Sequence, residues 1–309
     1  MANRLDTLRR RIFDMLSGDE RGVPPWVTEL ATGDDEGFFG PGSAVWAVHG
    51  GIPVIVAGMR ALLMQTLHPG AMAGVHDHSR YREDPLGRLN GTVRWVLTTT
   101  FGTRAGAEQA CGFVGTLHVK VQGSYTRGDT QVAYSANDPK LLRWVHVAFT
   151  DSFLRCHETW GSAIPSGPGQ SGADRTGADK YVDEWARAGE LMGVANPPHS
   201  EAELRAQLAA FGPELRSDQL VRDAVQFIRS PPLGRATAFG YRVIFAGAVS
   251  TIPTQYRRML GVRRPWWPAI TATRLMLWFL GSLLGRPSTS ETYATRRVAA
   301  LEAARGARG

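Results

Sequence analysis

The stretch RALLMQTLHPGAMAGVHDHSRYREDPLGRLNGTVRWVLTTTFGTRAGAEQACGFVGTLH, residues 60–118, decides how this chain is read. It holds four of the eight histidines, His68, His76, His78 and His118, and an Arg-x-x-x-Thr step from Arg88 to Thr92. Residues 52–68 are apolar on nearly every side apart from Arg60, Gln65 and Thr66, which marks a helix at the centre of a core. Pro69 ends or kinks that helix. Asp84 followed by Pro85 reads as an N-cap with proline at the first helical position. The helix so started carries Arg88, Thr92 and Trp95 on one face and stops near Gly102. Residues 104–121 form the next, with Cys111, Val114, His118 and Val121 at helical spacing. Ligand-type side chains set into apolar helices indicate a site inside a helical core.

Outward from this stretch the pattern stays helical. Residues 5–16 are amphipathic, and 17–25 are a polar loop. Ser43 fits an N-cap for a helix holding Val45, Trp46 and Val48. The segment HDHSRYRED, starting at His76, reads as a solvated loop, and Gly123 to Thr130 as a polar turn. Asp138-Pro139 repeats the cap-then-proline signal. The long helix after it buries Leu142, Val145, Phe149, Phe153, Cys156 and Trp160, with His146 beside that stripe. Residues 162–179 are rich in Gly, Ser and Pro and predict a flexible insertion. Helical spacing returns from Tyr181 and at 201–211, 218–229 and 236–249. No convincing period-2 strand and no repeat is visible. The expectation is an all-α chain of about ten helices: an N-terminal helix and loop over 1–34, then one domain over 35–309 containing the insertion.

Composition narrows the classes. A chain of 309 residues, 43% hydrophobic and 20% charged, is long enough for a sizeable core. The net charge of +7 comes from scattered arginines, with no dense basic stripe among aromatics, so nucleic acid is not an expected partner. The two cysteines, Cys111 and Cys156, sit in apolar helical patterns and predict free core thiols in a reducing compartment, hence a cytoplasmic location. Arg9 to Arg11 lead into no apolar region, so no signal peptide is expected. Residues 275–285, LMLWFLGSLLG, fall well short of the roughly 20 apolar residues of a spanning helix. They predict a C-terminal helix that closes the core. With Trp266, Trp267, Trp278, Arg263, Arg264 and Arg274 nearby, the alternative is peripheral membrane contact over 263–285.

Each polar residue has a plain reading and a functional one. His118 is either a core histidine bonded to a carbonyl or an iron ligand on an apolar helix face. Arg88 is either a surface arginine over a packed Thr92 or the partner of a buried carboxylate such as a haem propionate. Thr92 can donate to the same propionate or to bound oxygen. His68 either caps its helix or lines a distal pocket. His146, with Asp151 and Ser152 one to two turns on, mimics a nucleophilic set, but no Gly-x-Ser-x-Gly elbow accompanies it. His76 and His78, two apart, do not share a helix face.

These motifs resemble the MpaB-type oxygenase and latex-clearing (rubber oxygenase) catalytic-domain family. RALLMQTLHP (60–69), DHSRYREDPLGRLNGT (77–92), TLHVKVQG (116–123) and YSANDPKLLRWVHVAFTDSFL (134–154) carry the likeness. The resemblance implies a globin-like helical core holding haem b. Arg88 and Thr92 match its Arg-x-x-x-Thr, and His118 its proximal histidine, with His146 as competitor. Two departures stand out: Gly91 occupies the place of a lysine in rubber oxygenases, and a distal glutamate base has no counterpart. The expected function is a haem b-dependent oxygenase that turns O₂ on a small apolar substrate, isoprenoid or lipid-like, with Thr92 and His68 on the oxygen side. The alternatives are a non-catalytic globin-like haem or lipid-binding protein, and a helical protein acting on membrane surfaces.

Overall fold

In a computed structural model the chain is described over residues 23–168, 172, 174–231, 234–285 and 287–307. The helix expected over 5–16 lies outside the described residues. Fourteen α-helices occur among those described. The first seven are α1 (Pro25–Thr28), α2 (Ala44–His49), α3 (Val54–Gln65), α4 (Pro69–His78), α5 (Pro85–Phe101), α6 (Arg104–His118) and α7 (Pro139–Trp160). After them come α8 (Gly177–Leu191), α9 (Glu201–Ala210), α10 (Gln219–Arg229), α11 (Arg235–Thr251), α12 (Thr254–Met259), α13 (Ala269–Leu284) and α14 (Thr289–Gly306).

The pair α3 and α7 forms the centre. The predicted all-round apolar helix is α3, which buries Val56, Ala57, Met59, Leu63 and Met64. It packs along α7, whose 22 residues span about 33 Å. Asp138 starts α7 as expected, accepting from the backbone N–H of Lys140 at 2.7 Å. One buried ion pair crosses between the two helices. Arg60 Nη2 lies 2.7 Å from Asp151 Oδ2, and Arg60 Nη1 donates to Ser152 Oγ at 2.8 Å. Around this pair, α8 and α9 cover α7, while α11 lies between α3 and α13. At the far end of the chain α14 packs on a 3₁₀ turn, Glu29–Ala31. There buried Arg297 donates to the carbonyls of Leu30 at 2.6 Å and Phe101 at 2.8 Å.

Three expectations need correction. The all-α class holds, but Gln122–Arg127 (β1) and Thr130–Ser135 (β2) pair as an antiparallel hairpin where a polar turn was expected. Gly128 has φ +61° at the first central position of its two-residue turn, the geometry that matches strand twist. Only Tyr125, Val132 and Tyr134 are shielded on one face, too few for a period-2 signal to emerge. A second pair, Gly167–Pro168 (β3) with Asp174–Arg175 (β4), lies in the segment read as a flexible insertion. Finally, HDH belongs to a helix. His68 is the N-cap of α4 and Pro69 its first residue, so that proline begins a helix as well as ending one.

Candidate functional site

The helices α5 and α6 form a hairpin that sets the level of every polar residue on it. Asp84 caps α5 by accepting from Gly87 N at 2.9 Å, and Thr103 caps α6 by accepting from Gly106 N at 3.0 Å. Only Gly102 and Thr103 separate the helices, which forces them to run back along each other. Across the seam Trp95 Nε1 donates to Cys111 Sγ at 3.4 Å. Two turns from that contact, toward the open end, come Arg88 on α5 and His118 on α6. Seven residues at 1.5 Å each put both about 10 Å along the hairpin. Arg88 and His118 thus stand at the same level near the open end, with Thr92 one turn nearer the seam.

Each of the three has a distinct environment. The half-buried Arg88 donates from Nη1 to Ser79 Oγ at 3.0 Å. Burial pulls its guanidinium below the usual range, with Tyr81 opposing, and no described carboxylate pairs with it. His118 is half-buried at the last turn of α6, and its Nδ1 is buried without a hydrogen-bond partner. Burial lowers its pKa, a hydrogen bond with Asn137 partly offsetting this, so the imidazole is neutral near pH 7. Asn137 is held there by donating from Nδ2 to Gly115 O at 3.2 Å. Thr92 is exposed, its hydroxyl donating to Arg88 O at 3.3 Å. Beside it, a Cβ added to Gly91 would meet nothing within 4 Å.

The other two histidines sit on different elements. His68 accepts at Nδ1 from Gly70 N at 3.2 Å, and its Nε2 lies 3.7 Å from Glu214 Oε2. Trp144 and Phe211 flank its ring, and burial lowers its pKa against the pull of Glu214. His146 is buried between α7 and α8, with Nε2 unpartnered. Burial, then His199, lowers its pKa to about 4. The α8 backbone comes so close that a Cβ on Gly189 would lie 2.9 Å from the ring.

An apolar surface accompanies the site on the central pair. Leu62 of α3 and Val145 of α7 stay 38% and 39% exposed in helices that are otherwise buried. Gln65 Nε2 donates to Val145 O at 3.4 Å, which joins the two edges. Gly58, one turn before Leu62, leaves open space where a side chain would stand. An open depression of about 480 Å³ lies elsewhere, lined by Phe38, Ser43, Arg104, Glu184 and Arg187. Arg104 begins α6 and His118 ends it, so this depression belongs to the hairpin's closed end, about 20 Å away. Sequence reasoning missed Asn137, Ser79, Leu62 and Gly58. A lone glycine inside the most apolar helix was the available signal for the last.

No curated protein and no solved structure matches the chain. A family model does, described as "ER-bound oxygenase mpaB/B'/Rubber oxygenase, catalytic domain", over residues 46–284. The match runs from α2 to the end of α13, taking in the central pair and the whole α5–α6 hairpin. With more than three quarters of its length matched, the chain belongs to the MpaB/rubber oxygenase catalytic-domain family.

Proposed function

We propose that this oxygenase-family chain uses haem b and acts on a small apolar substrate of isoprenoid or lipid-like kind. The observation that carries the proposal is the hairpin mouth. It sets a half-buried guanidinium that no described carboxylate neutralises at the level of a neutral imidazole that has a free, buried nitrogen. Among the described residues, no three His, Cys, Asp or Glu side chains cluster to hold a bare metal ion. A single imidazole would suit an iron that a porphyrin already holds.

In this reading His118 is the iron ligand, and Asn137 orients its ring. Arg88 holds a propionate through its two-pronged guanidinium. The Thr92 hydroxyl, exposed on the same face, donates to a propionate or toward the oxygen side. When bound, haem supplies the iron that activates O₂. Gly58, Leu62 and Val145 offer the substrate an apolar surface. His146 is the weaker ligand candidate, because the α8 backbone closes over its ring. His68 commits Nδ1 to the start of α4, and its buried Nε2 stands 3.7 Å from Glu214 Oε2 without a hydrogen bond; its part is to shape the core there.

The deciding experiment loads the purified chain with haemin, reduces it anaerobically, and admits O₂ with a polyene such as squalene. Oxygenated products formed only with haem support the proposal. Reversible O₂ uptake without product favours the non-catalytic haem-binding alternative. Failure to take up haemin at all contradicts both.

A further inference from the structure

The helix expected to close the core leaves one face bare. Ala269, Thr273 and Leu277 of α13 are buried against α11, where Thr273 Oγ1 donates to Val243 O at 3.1 Å. On the other face Leu275, Trp278 and Phe279 are 63%, 70% and 45% exposed. Phe239 of α11 is also 70% exposed. It stands at the same level, since the neighbouring Gly240 faces Met276, with 3.8 Å from a Cβ there to Met276 Cε. Trp266, in the segment before α13, is 95% exposed. Four large apolar side chains on two packed helices, with a bare indole beside them, form a patch of the kind soluble surfaces seldom leave uncovered.

The charge around this patch has one sign. From residue 224 to residue 290 the chain has no Asp, Glu or Lys and nine Arg, more positive charge than the whole protein nets. Arg242, Arg263, Arg264 and Arg274 are exposed on the same elements as the aromatic side chains, the two helices and the segment before α13, Arg274 also donating to Thr159 O at 2.8 Å. A second copy seated on this face would set arginine against arginine. Nor does α13 cross a bilayer: its 16 residues reach about 24 Å, and no described helix is long and apolar enough to span. Aromatic side chains and arginines on one face of a helix too short to cross suit the boundary between lipid headgroups and acyl chains.

We propose that the face formed by Phe239, Trp266, Leu275, Trp278 and Phe279, with the arginines of the same elements, docks this protein on an anionic lipid bilayer, with α13 lying in the membrane plane. The apolar side chains enter the headgroup boundary, and the arginines engage lipid phosphates and carboxylates. This docking is independent of the haem assignment and stands or falls without it.

The test mixes the full chain with large unilamellar vesicles of phosphatidylcholine containing 30 mol% phosphatidylserine, or of phosphatidylcholine alone, and reads co-sedimentation and tryptophan emission. The expected result is strong binding to the anionic vesicles with a blue shift, and at least tenfold weaker binding to the neutral ones. Trp278→Ser/Phe279→Ser should lower partitioning more than tenfold. Arg263→Glu/Arg264→Glu should lower it at least 25-fold, at about fivefold for each arginine removed. All four side chains are exposed or at the surface, and unchanged circular dichroism confirms that the variants fold. No binding to anionic vesicles at millimolar lipid overturns the proposal, as does binding that neither variant weakens. Concentration-dependent self-association that Trp278→Ser/Phe279→Ser abolishes, with no vesicle binding, replaces the bilayer by a second copy of the chain.

Discussion

Two arginines sit in helices of the same fold and meet opposite treatment. Arg60 is fully buried on α3, and α7 answers it with Asp151 at 2.7 Å and Ser152 at 2.8 Å. Arg88 is half-buried on α5, and the described residues answer it with the neutral hydroxyl of Ser79 at 3.0 Å. The histidines repeat the contrast. His49 is buried with Nδ1 2.8 Å from Thr100 Oγ1 and Nε2 3.0 Å from Tyr181 Oη, while His118 keeps a buried nitrogen without a partner. A polar group the chain itself satisfies belongs to the architecture. A shielded one left unsatisfied where no backbone closes over it, as the α8 backbone closes over His146, is a place that something from outside can complete.

The comparison breaks most readily at Arg60. Arg60→Met should cost about 3 kcal/mol in urea unfolding, because it leaves the buried Asp151 carboxylate with only the more distant Arg155, at 3.4 Å. Arg60→Met/Asp151→Leu should recover most of that loss. Arg88→Leu, by contrast, should cost about 1 kcal/mol, one hydrogen bond. Equal losses at Arg60 and Arg88 would erase the distinction between the two regions.

Acid tests the satisfied histidine. Burial, then the charge of His157, lowers the His49 pKa from 6.5 to about 3. The unfolded chain therefore binds a proton that the folded chain refuses, so stability rises with pH throughout that window. Above pH 6.5 both states are neutral and the effect vanishes. At pH 4.5 the loss from His49 should be about 3 kcal/mol. Unfolding free energies of wild type and His49→Asn between pH 7 and 4.5 check this, and the variant should show the shallower slope.

Two glycines sharpen the contrast at smaller scale. Gly189→Ala drives a methyl group to 2.9 Å from the His146 ring and should destabilise by about 1–3 kcal/mol. Gly91→Ala enters open space on an exposed helix face, and should stabilise by about 1 kcal/mol through helix propensity. Thermal melts of both variants should move in opposite directions.

Much of the fold could be read from local chemistry, because caps and prolines act within a turn. Ser43, Asp84 and Asp138 each start the helix expected of them. His68-Pro69 misled because proline both ends one helix and opens the next, and polar residues at the end of α4 then looked like loop. The β-hairpin stayed hidden because its shielded face is three side chains set on α4, a tertiary arrangement with no periodic trace. At the site, Arg88 and Thr92 share a face by simple i, i+4 spacing. Their level with His118 depends on where the hairpin turns. The parts of Asn137 and Ser79 depend on loops folding back, which no spacing rule encodes.

Haemin titration of wild type, His118→Ala and His146→Ala, followed by the Soret band, tests the central claim most directly. Stoichiometric haem binding is expected in wild type and in His146→Ala, with loss of at least tenfold in affinity and a changed Soret position in His118→Ala. An unaltered spectrum and affinity in His118→Ala, while the variant remains folded, would contradict the assignment of the unsatisfied imidazole at the hairpin mouth to iron.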